Sequence, residues 1–410
     1  MKKILVIVDS LDAEDSSGTK VNVALIVNLS KIGYEVKVLH YTRKEIRLAG
    51  LECISIAETF GSFNYIFSRF QRVFQRVSKI NISKPLENIF GHSFTFFNDS
   101  KSISKAIMKH YGNEDLIITL SKGASFRPHY AMLRLHNLHN KWLAYVHDPY
   151  PFHYYPRPYN WVEPGYQFKE KFFRQVSEKA KYSGFPSLLL KEWMGSYYPN
   201  FLNTGVLIPH QNLESTTEEI KELPDYLNLL KFNILHAGHV MKERSPEGLV
   251  SGYRLFLEKF PEAKINSKLL LLGHAGHYKT YLNNQIDKNI YWSKGGVSYT
   301  VANIVQKSVS VNVILESKSE ISPFLPGKFP NCVMANKPIL VLSPHYSETR
   351  RLLGEKYEFI AEADDAVAIC HKITLLYQNW KMDPQLKLDR ADLQEYVGVS
   401  YLKKMITAII

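Results

Sequence analysis

Glycine, histidine and arginine residues follow an apolar run in the second half of the sequence. Residues 232–236 are predicted to form a strand, and Gly238, His239 and Arg244 come after it. A glycine lets the backbone approach a ligand closely, the N-terminus of a following helix offers N–H donors, and an arginine can bind phosphate oxygens with two parallel hydrogen bonds. These residues therefore predict an anion site, and a glycine turn beside a surface arginine is the alternative.

A second group of polar residues follows the apolar run 309–315 and gives the strongest signal. It contains Ser317, Glu320, Lys328 and Asn331, in a loop that also holds proline and glycine. A carboxylate in such a loop can hold sugar hydroxyls, and a lysine beside a helix N-terminus can hold phosphate. The alternative is an exposed loop with ordinary surface charges.

Weaker signals follow three other predicted strands. Gly18 comes after the first strand, and Gly273 and His274 come after the second strand of the C-terminal half. His147 and Asp148 end a strand in the N-terminal half. A histidine at such a strand end could orient a hydroxyl of a bound ligand. A histidine that is simply paired with Asp148 at a strand end is the alternative.

The elements that must position these residues follow an α/β pattern. The sequence opens with a predicted strand at 3–8, a helix at 21–32 and a strand at 35–39, which is a βαβ unit. The pattern restarts near residue 231, which suits the two to three domains expected for 410 residues. Ligands of open α/β sheets bind beyond the carboxyl ends of the strands, so residues placed there are the candidates for chemistry.

The order of elements and motifs resembles the retaining nucleotide-sugar glycosyltransferases of family 4, which have the glycosyltransferase B (GT-B) fold. Gly238 matches the glycine of the family's Gly–Arg loop, with His239 at the arginine position and Arg244 at the position of a nearby lysine. Ser317 and Glu320 match the family's Ser-x-x-Glu segment. The resemblance covers nearly the whole chain and is clearest in the C-terminal half.

Other positions resemble the family with substitutions. Asn331 falls where the family has a second glutamate, which holds the donor ribose, and Lys328 lies in a segment similar to a Pro-x-Lys variant of polysaccharide-assembly members. Gly18 matches one glycine of the family's glycine-rich loop. His147 and Asp148 resemble its His-Glu/Asp-Pro segment.

The resemblance implies an α/β protein with two doubly wound Rossmann-like domains that face each other across a cleft. An acceptor-binding domain is expected over residues 1–208 and a nucleotide-sugar-binding domain over residues 209–385. A C-terminal helix within residues 386–410 is expected to cross back to the N-terminal domain.

The implied reaction moves a sugar from a nucleoside diphosphate sugar to a hydroxyl of a glycan or lipid-linked acceptor, with retention, in surface polysaccharide or glycan assembly. Arg244 and Lys328 would neutralise the leaving diphosphate. Glu320 would hold hydroxyls of the donor sugar, and Asn331 would hold the ribose. His147 would face donor and acceptor, and the other matched residues would line the substrate site. The donor base, the sugar and the acceptor are not identified.

Three motifs that would indicate metal-dependent, nicotinamide-dependent or P-loop chemistry are absent from the sequence. The sequence has no Asp-x-Asp, so no metal is expected to hold the diphosphate. The lack of a Gly-x-Gly-x-x-Gly after the first strand counts against a nicotinamide enzyme, and the lack of a Gly-x-x-x-x-Gly-Lys-Ser/Thr counts against a phosphate-binding P-loop. No cofactor is expected. A nucleotide-sugar epimerase of the same fold is one alternative. A glycan- or nucleotide-binding scaffold without turnover is another.

Charge and cysteine usage bear on partners and location. The net charge is +12, and residues 1–210 hold 27 basic and 17 acidic side chains, which predicts an anionic partner. Generic surface charge that keeps the protein in solution is the alternative. No nucleic-acid-binding module is recognisable, so nucleic acid is not expected. Three widely spaced cysteines and the lack of a long apolar run predict a cytoplasmic protein, peripheral on a membrane at most.

Residues 63–79 combine an aromatic stripe with an arginine stripe. Apolar and basic side chains recur there at helical spacing: Phe63, Phe67, Phe70, Phe74 and Val77 on one face, and Arg69, Arg72, Arg76 and Lys79 on the adjacent one. Such a helix suits the surface of an anionic membrane or a lipid-linked acceptor. An ordinary amphipathic helix with its phenylalanines in the core is the alternative.

Overall fold

The structure is a computed structural model that describes residues 1–13, 15–123, 125–212 and 223–410. The chain divides into two compact units. The first comprises Met1–Tyr155, Tyr159–Leu213 and Gly398–Ile410, and the second comprises Pro156–Pro158 and Glu214–Val397. The boundaries near residues 208 and 385 stay predictions.

The first unit is built on a parallel seven-stranded sheet of order β3-β2-β1-β4-β5-β6-β7. Its strands are β1 (Lys3–Val8), β2 (Glu35–His40), β3 (Glu52–Ser55), β4 (Leu116–Leu120), β5 (Trp142–Tyr145), β6 (Tyr182–Phe185) and β7 (Gly205–Leu207). Its helices before the second unit are α1 (Ser17–Lys31), α2 (Phe63–Ser78), α3 (Ser83–Phe90), α4 (Phe94–His110), α5 (Arg127–Met132), α6 (Tyr166–Lys179), α7 (Leu188–Tyr197) and α8 (Asn200–Thr204), with 3₁₀ turns at His136–Lys141 and Phe152–Tyr154.

The second unit has a parallel six-stranded sheet of order β10-β9-β8-β11-β13-β15 and a small β12-β14 pair. Its strands are β8 (Phe232–Ala237), β9 (Ser267–Leu272), β10 (Ile290–Trp292), β11 (Val311–Leu315), β12 (Ile321–Ser322), β13 (Ile339–Leu342), β14 (Tyr346–Ser347) and β15 (Ile360–Ala361). Its helices are α9 (Glu247–Lys259), α10 (Ala263–Asn266), α11 (Lys279–Gln285), α12 (Tyr299–Ser308), α13 (Phe329–Met334), α14 (Glu348–Leu353), α15 (Ala366–Met382) and α16 (Ala391–Tyr396), with a 3₁₀ turn at Gly276–Tyr278.

Helix α17 (Val399–Thr407) ends the chain and belongs to the first unit, where it packs on α1. Leu402 and Ile406 of this helix are fully buried in the same core as β1. Residues 386–410 thus contain two short helices rather than one, and Gly398, an extended residue, lies at the break between them.

Both central sheets are buried on their two faces, which explains the near-continuous apolar strands. Leu5 and Ile7 of β1 face one core of the first unit, and Ile4 and Val6 face the other. Successive side chains of a strand point to opposite faces of the sheet, so a strand covered on both faces needs apolar side chains at every position. The polar residues of interest therefore begin where each strand ends.

Candidate active site

Two glycines shape the strand ends in the second unit. Gly238 follows β8 with φ +156° and Gly273 follows β9 with φ +142°. The Gly238 N–H donates to the Leu272 carbonyl at 2.8 Å. A Cβ atom at position 273 would lie 2.3 Å from the Gly238 carbonyl oxygen, so only glycine lets these two loops cross so closely.

Gly273→Ala is expected to lower the free energy of unfolding by about 2 kcal/mol or more, because it adds backbone strain to a steric clash. Gly18→Ala is the matched control. Gly18 lies in the first turn of α1, has no positive φ, and a Cβ there would have its nearest neighbour, Ser16 Oγ, at 3.8 Å. It should change stability by about 0.5 kcal/mol or less, measured by urea unfolding. Equal stability losses in both variants would contradict the steric argument.

Lys328 points to the end of β8 and contacts His236. Its Nζ lies 3.0 Å from His236 Nδ1. Burial holds the pKa of His236 well below its usual range, with the charge of Lys328 as a further cause, so the neutral imidazole accepts this hydrogen bond. Burial also lowers the pKa of Lys328 to about 7, against an opposing effect of the Cys332 thiol. An anion at this place would stabilise the protonated lysine.

Glu316 is the first residue after β11, and its carboxylate is buried with an exposure of 4%. Neither of its oxygens has a hydrogen-bond partner within the described ranges. Burial raises the pKa of Glu316 to about 7, although the nearby hydroxyls of Ser322 and Thr349 and the charge of Arg244 act in the opposite direction. A buried carboxylate with unused acceptor capacity is costly unless a ligand supplies donors.

Arg244 completes what we call the strand-end cluster: His236, Arg244, Glu316 and Lys328. Arg244 is half-buried, and its Nε has no hydrogen-bond partner among the residues that the structure describes. Its charge lowers the pKa values of the other three members, which places it in their electrostatic neighbourhood. The cluster combines two cations and one buried carboxylate at adjacent strand ends, an arrangement suited to a phosphorylated, hydroxyl-rich ligand.

The residues of the predicted Ser-x-x-Glu segment have different environments. Ser317 is buried and Glu320 is exposed. The sequence predicts Glu320 as the site carboxylate and does not single out Glu316, whose one local signal is its place as the first residue after an apolar strand. Asn331 is half-buried at the start of α13, and its Oδ1 accepts a long hydrogen bond of 3.4 Å from the Tyr299 hydroxyl.

His239 and His274 lie side by side in the two glycine loops. Their ring centroids are 5.0 Å apart, and both side chains are exposed. The Gly296 N–H donates to His274 Nε2 at 3.1 Å, which leaves the proton of a neutral ring on Nδ1. Partial burial and His274 lower the pKa of His239. The two imidazole rings are therefore exposed side by side, next to the closely packed Gly238 and Gly273.

In the first unit, His147 follows β5 and is held by Asn22. His147 Nε2 lies 2.7 Å from Asn22 Oδ1, and Asn22 Nδ2 donates to the Ser121 carbonyl at 2.9 Å. Because the amide nitrogen is used, Asn22 Oδ1 must accept, so His147 carries its proton on Nε2. Burial holds the pKa of His147 well below its usual range, and His210 and His129 lower it further, so the ring is neutral. Its neighbour Asp148 is half-buried.

A cavity of about 840 Å³ lies at the carboxyl edge of the first sheet. Its lining is dominated by charged side chains: Asp9, Asp12, Asp15, Arg43, Lys44, Arg72, Asp99, Lys122 and Arg127. Burial raises the pKa of Asp9 to about 6, although Arg127 and the Ser125 hydroxyl lower it. Ser125 donates to Asp9 Oδ2, while Oδ1 has no partner within the described part of the chain.

Most cations of this cavity are already paired with carboxylates. Asp99 forms ion pairs with two arginines: its Oδ1 lies 3.2 Å from Arg43 Nη2, and its Oδ2 lies 3.1 Å from Arg127 Nε. For Arg72, by contrast, the hydrogen bond found among the described residues is to the Thr95 hydroxyl, at 3.2 Å. The cavity therefore offers a guanidinium and a buried carboxyl group to a ligand, which suits a polar acceptor that carries hydroxyls and negative charge.

The described ranges contain no group of three or more histidine, cysteine, aspartate or glutamate side chains that could hold a metal ion. None of their helices is both long and apolar enough to cross a membrane.

Two Rossmann-like units with parallel sheets define the chain as a protein of the GT-B fold. Over 100% of its length it is similar to the trehalose-6-phosphate synthase OtsA (TM-score 0.67, 11% identity, 99% of that chain). It is also similar over its full length to the sucrose-phosphate synthase of Thermosynechococcus elongatus (TM-score 0.65, 13% identity, 98% of that chain). A third similar structure, again over the full length of the chain, is Anabaena HepE in complex with UDP (TM-score 0.61, 10% identity, 99% of that chain). No protein-family model and no curated protein sequence matches the chain.

Proposed function

We propose that this protein transfers a sugar from a nucleoside diphosphate sugar to an acceptor hydroxyl, with retention of configuration. The strand-end cluster carries the proposal, because it places two cations beside a buried carboxylate at the ligand-binding edge of the second sheet. The similar HepE structure contains UDP, which is consistent with this donor class. The acceptor is proposed to be a glycan or a lipid-linked sugar in surface polysaccharide or glycan assembly.

In the proposed reaction, Lys328 and Arg244 bind the diphosphate. The bond between the anomeric carbon and the phosphate oxygen breaks, and its electron pair leaves with the nucleoside diphosphate. The acceptor oxygen forms the new bond to the anomeric carbon, and its proton passes to a phosphate oxygen of the leaving nucleoside diphosphate. Negative charge grows on the leaving group as the bond breaks. Fixed cations therefore stabilise the transition state more than they stabilise the intact donor, and this lowers the barrier to transfer.

The other residues orient the substrates. Glu316, being buried with open acceptor positions, is our choice for the donor-sugar hydroxyls, and Glu320 remains the residue that matches the family motif. Asn331 binds the ribose, next to the Tyr299 hydroxyl. His147 presents a neutral ring to an acceptor or donor hydroxyl, so it acts as a hydrogen-bonding and orienting group.

The charged cavity of the first unit favours a transferase over an epimerase. An epimerase acts on the donor alone and has no need of an acceptor pocket, whereas this cavity has room for a sugar-sized ligand. A non-catalytic scaffold would bind the donor without consuming it. We further propose a cytoplasmic location, where nucleotide sugars are available and the three free cysteines stay reduced.

Turnover is expected to survive chelation. The Lys328 and Arg244 side chains are proposed to neutralise the diphosphate that a metal neutralises in other transferases. The measurement is donor hydrolysis or transfer against a panel of nucleotide sugars, with EDTA and with added divalent ions. Activity that EDTA abolishes and a divalent ion restores would contradict metal independence, and donor binding without turnover would favour the scaffold.

A further inference from the structure

Helix α2 is oriented opposite to an ordinary surface helix. Its apolar face points outward: Phe63 is 72% exposed, Phe70 63% and Val77 78%. Its buried residues are instead the polar Ser68 and Gln71. The alternative interpretation, in which these phenylalanines pack in the core, is therefore wrong.

Hydrogen bonds explain how the polar side of α2 can face inward. Gln71 Nε2 and Gln75 Nε2 both donate to Ser83 Oγ, at 3.0 and 2.9 Å. The N-cap Ser62 donates to Asn98 Oδ1 of α4 at 2.6 Å. A buried polar surface whose groups are satisfied is stable, so this orientation fixes the apolar side outside.

The exposed face continues beyond α2. The Phe67 ring lies 5.2 Å from that of Phe94, which lies 5.3 Å from Phe90. Ile89, next to Phe90, is 62% exposed. We call this surface the apolar face. Contiguous exposed phenylalanines are uncommon on a protein surface unless something covers them.

The charge around the apolar face identifies what covers it. Residues 58–94 have an excess of basic over acidic side chains, with two acidic residues, Glu58, which pairs with Arg69 at 3.3 Å, and Glu87, against five basic ones: Arg69, Arg72, Arg76, Lys79 and Lys84. A second copy of the chain would bring these like charges together, which is unfavourable. An anionic lipid surface matches both the exposed apolar side chains and the basic side chains around them, because it offers negative headgroups above an apolar interior.

We propose that α2 lies in the surface of a membrane that contains anionic lipids, with the apolar face inserted and the basic side chains at the headgroups. Arg72 belongs both to α2 and to the lining of the 840 Å³ cavity. Docking through α2 therefore brings the opening of that cavity to the headgroup level, where a membrane-embedded acceptor can reach it. The docking itself does not depend on the proposed transfer reaction.

Vesicle co-sedimentation of the full chain without substrates tests the docking. Vesicles of phosphatidylcholine alone are compared with vesicles containing 30% phosphatidylglycerol (about a third of the lipid, enough for a negative surface potential). We expect binding to the anionic vesicles that weakens with salt. Phe63→Ser with Phe70→Ser should weaken it about tenfold or more, because two exposed aromatic rings no longer insert.

Matched variants elsewhere give the controls. Ile265 and Val367 of the second unit are 76% and 74% exposed, so Ile265→Ser with Val367→Ser removes apolar surface outside the apolar face and should leave binding unchanged. Arg76→Glu with Lys84→Glu should abolish the preference for anionic vesicles. Lys307→Glu with Lys387→Glu, which are also exposed and change the net charge equally, should preserve it.

Three results would overturn the proposal. One is equal partitioning to neutral and anionic vesicles, and another is unchanged binding after the two phenylalanine substitutions. The third is no vesicle binding together with a concentration-dependent dimer, seen by sedimentation velocity, that the phenylalanine substitutions dissociate. That last result would assign the apolar face to a second copy of the chain.

Discussion

Replacing Lys328 by alanine should lower kcat/KM for sugar transfer by about 10²-fold or more, and Arg244→Ala should have a comparable effect. Each substitution removes a preorganised cation from the place where the leaving diphosphate gains charge, and the loss of one such group typically costs a factor of this size. The Lys328 side chain is fixed by His236 at 3.0 Å, so little reorganisation is needed when the donor binds.

Lys318 provides the matched control in the same loop. It is 72% exposed and paired with Asp364, so Lys318→Ala should keep turnover within about threefold of the wild type. Steady-state kinetics of the three variants give the answer. Near wild-type turnover in both Lys328→Ala and Arg244→Ala would remove these residues from the proposed site.

The pKa of Lys328 supplies a second readout for the same assignment. Because this pKa is about 7, much of the lysine is neutral above pH 7 in the free protein. A bound diphosphate favours the charged form, so donor binding at pH 8 should take up a proton. Calorimetry in buffers of different ionisation enthalpy measures that uptake. It should disappear in Lys328→Arg, because arginine is charged throughout this range.

The second large effect concerns the carboxylate at the end of β11. Glu316→Gln should lower turnover by about 10²-fold, because a neutral amide cannot replace the charge-assisted acceptors for sugar hydroxyls. Glu320→Gln is the comparison, and because Glu320 is exposed its turnover should change by less than about threefold. The opposite pattern, loss in Glu320→Gln and activity in Glu316→Gln, would return the role to the family motif.

Stability separates a functional Glu316 from a structural one. Its pKa is about 7 in the folded protein, against 4.5 for an ordinary glutamate, so between these pH values the Glu316 carboxyl binds more protons in the folded than in the unfolded state. Stability must therefore fall as the pH rises from 4.5 to 7. Glu316→Gln removes that loss and should stabilise the protein at neutral pH, on the order of 1 kcal/mol, while it inactivates it. Destabilisation at pH 7 would indicate a structural role.

The two α/β units could be predicted from the amino-acid pattern alone. Apolar strands of predicted bounds 3–8 and 232–236 are observed as β1 and the first five residues of β8. Local pattern suffices here because a strand buried on both faces must be apolar throughout. Gly238 and Lys328 were predicted as site residues from the sequence, and this assignment stays a prediction. The glycine follows a strand end, and the lysine lies in a recognisable Pro-Gly-Lys segment, so both signals are local.

Contacts between residues far apart in the sequence, and the side of an element that becomes buried, could be seen only in the folded chain. His236 and Lys328 are 92 positions apart, and His147 and Asn22 are 125 apart, so neither pair has a sequence signal. The choice between Glu316 and Glu320 depends on which one the loop buries. For α2 the helical period defines an apolar and a polar face but not which one turns inward. That was decided by Ser83 and Asn98, whose polar groups satisfy the inward side and leave the phenylalanines outside.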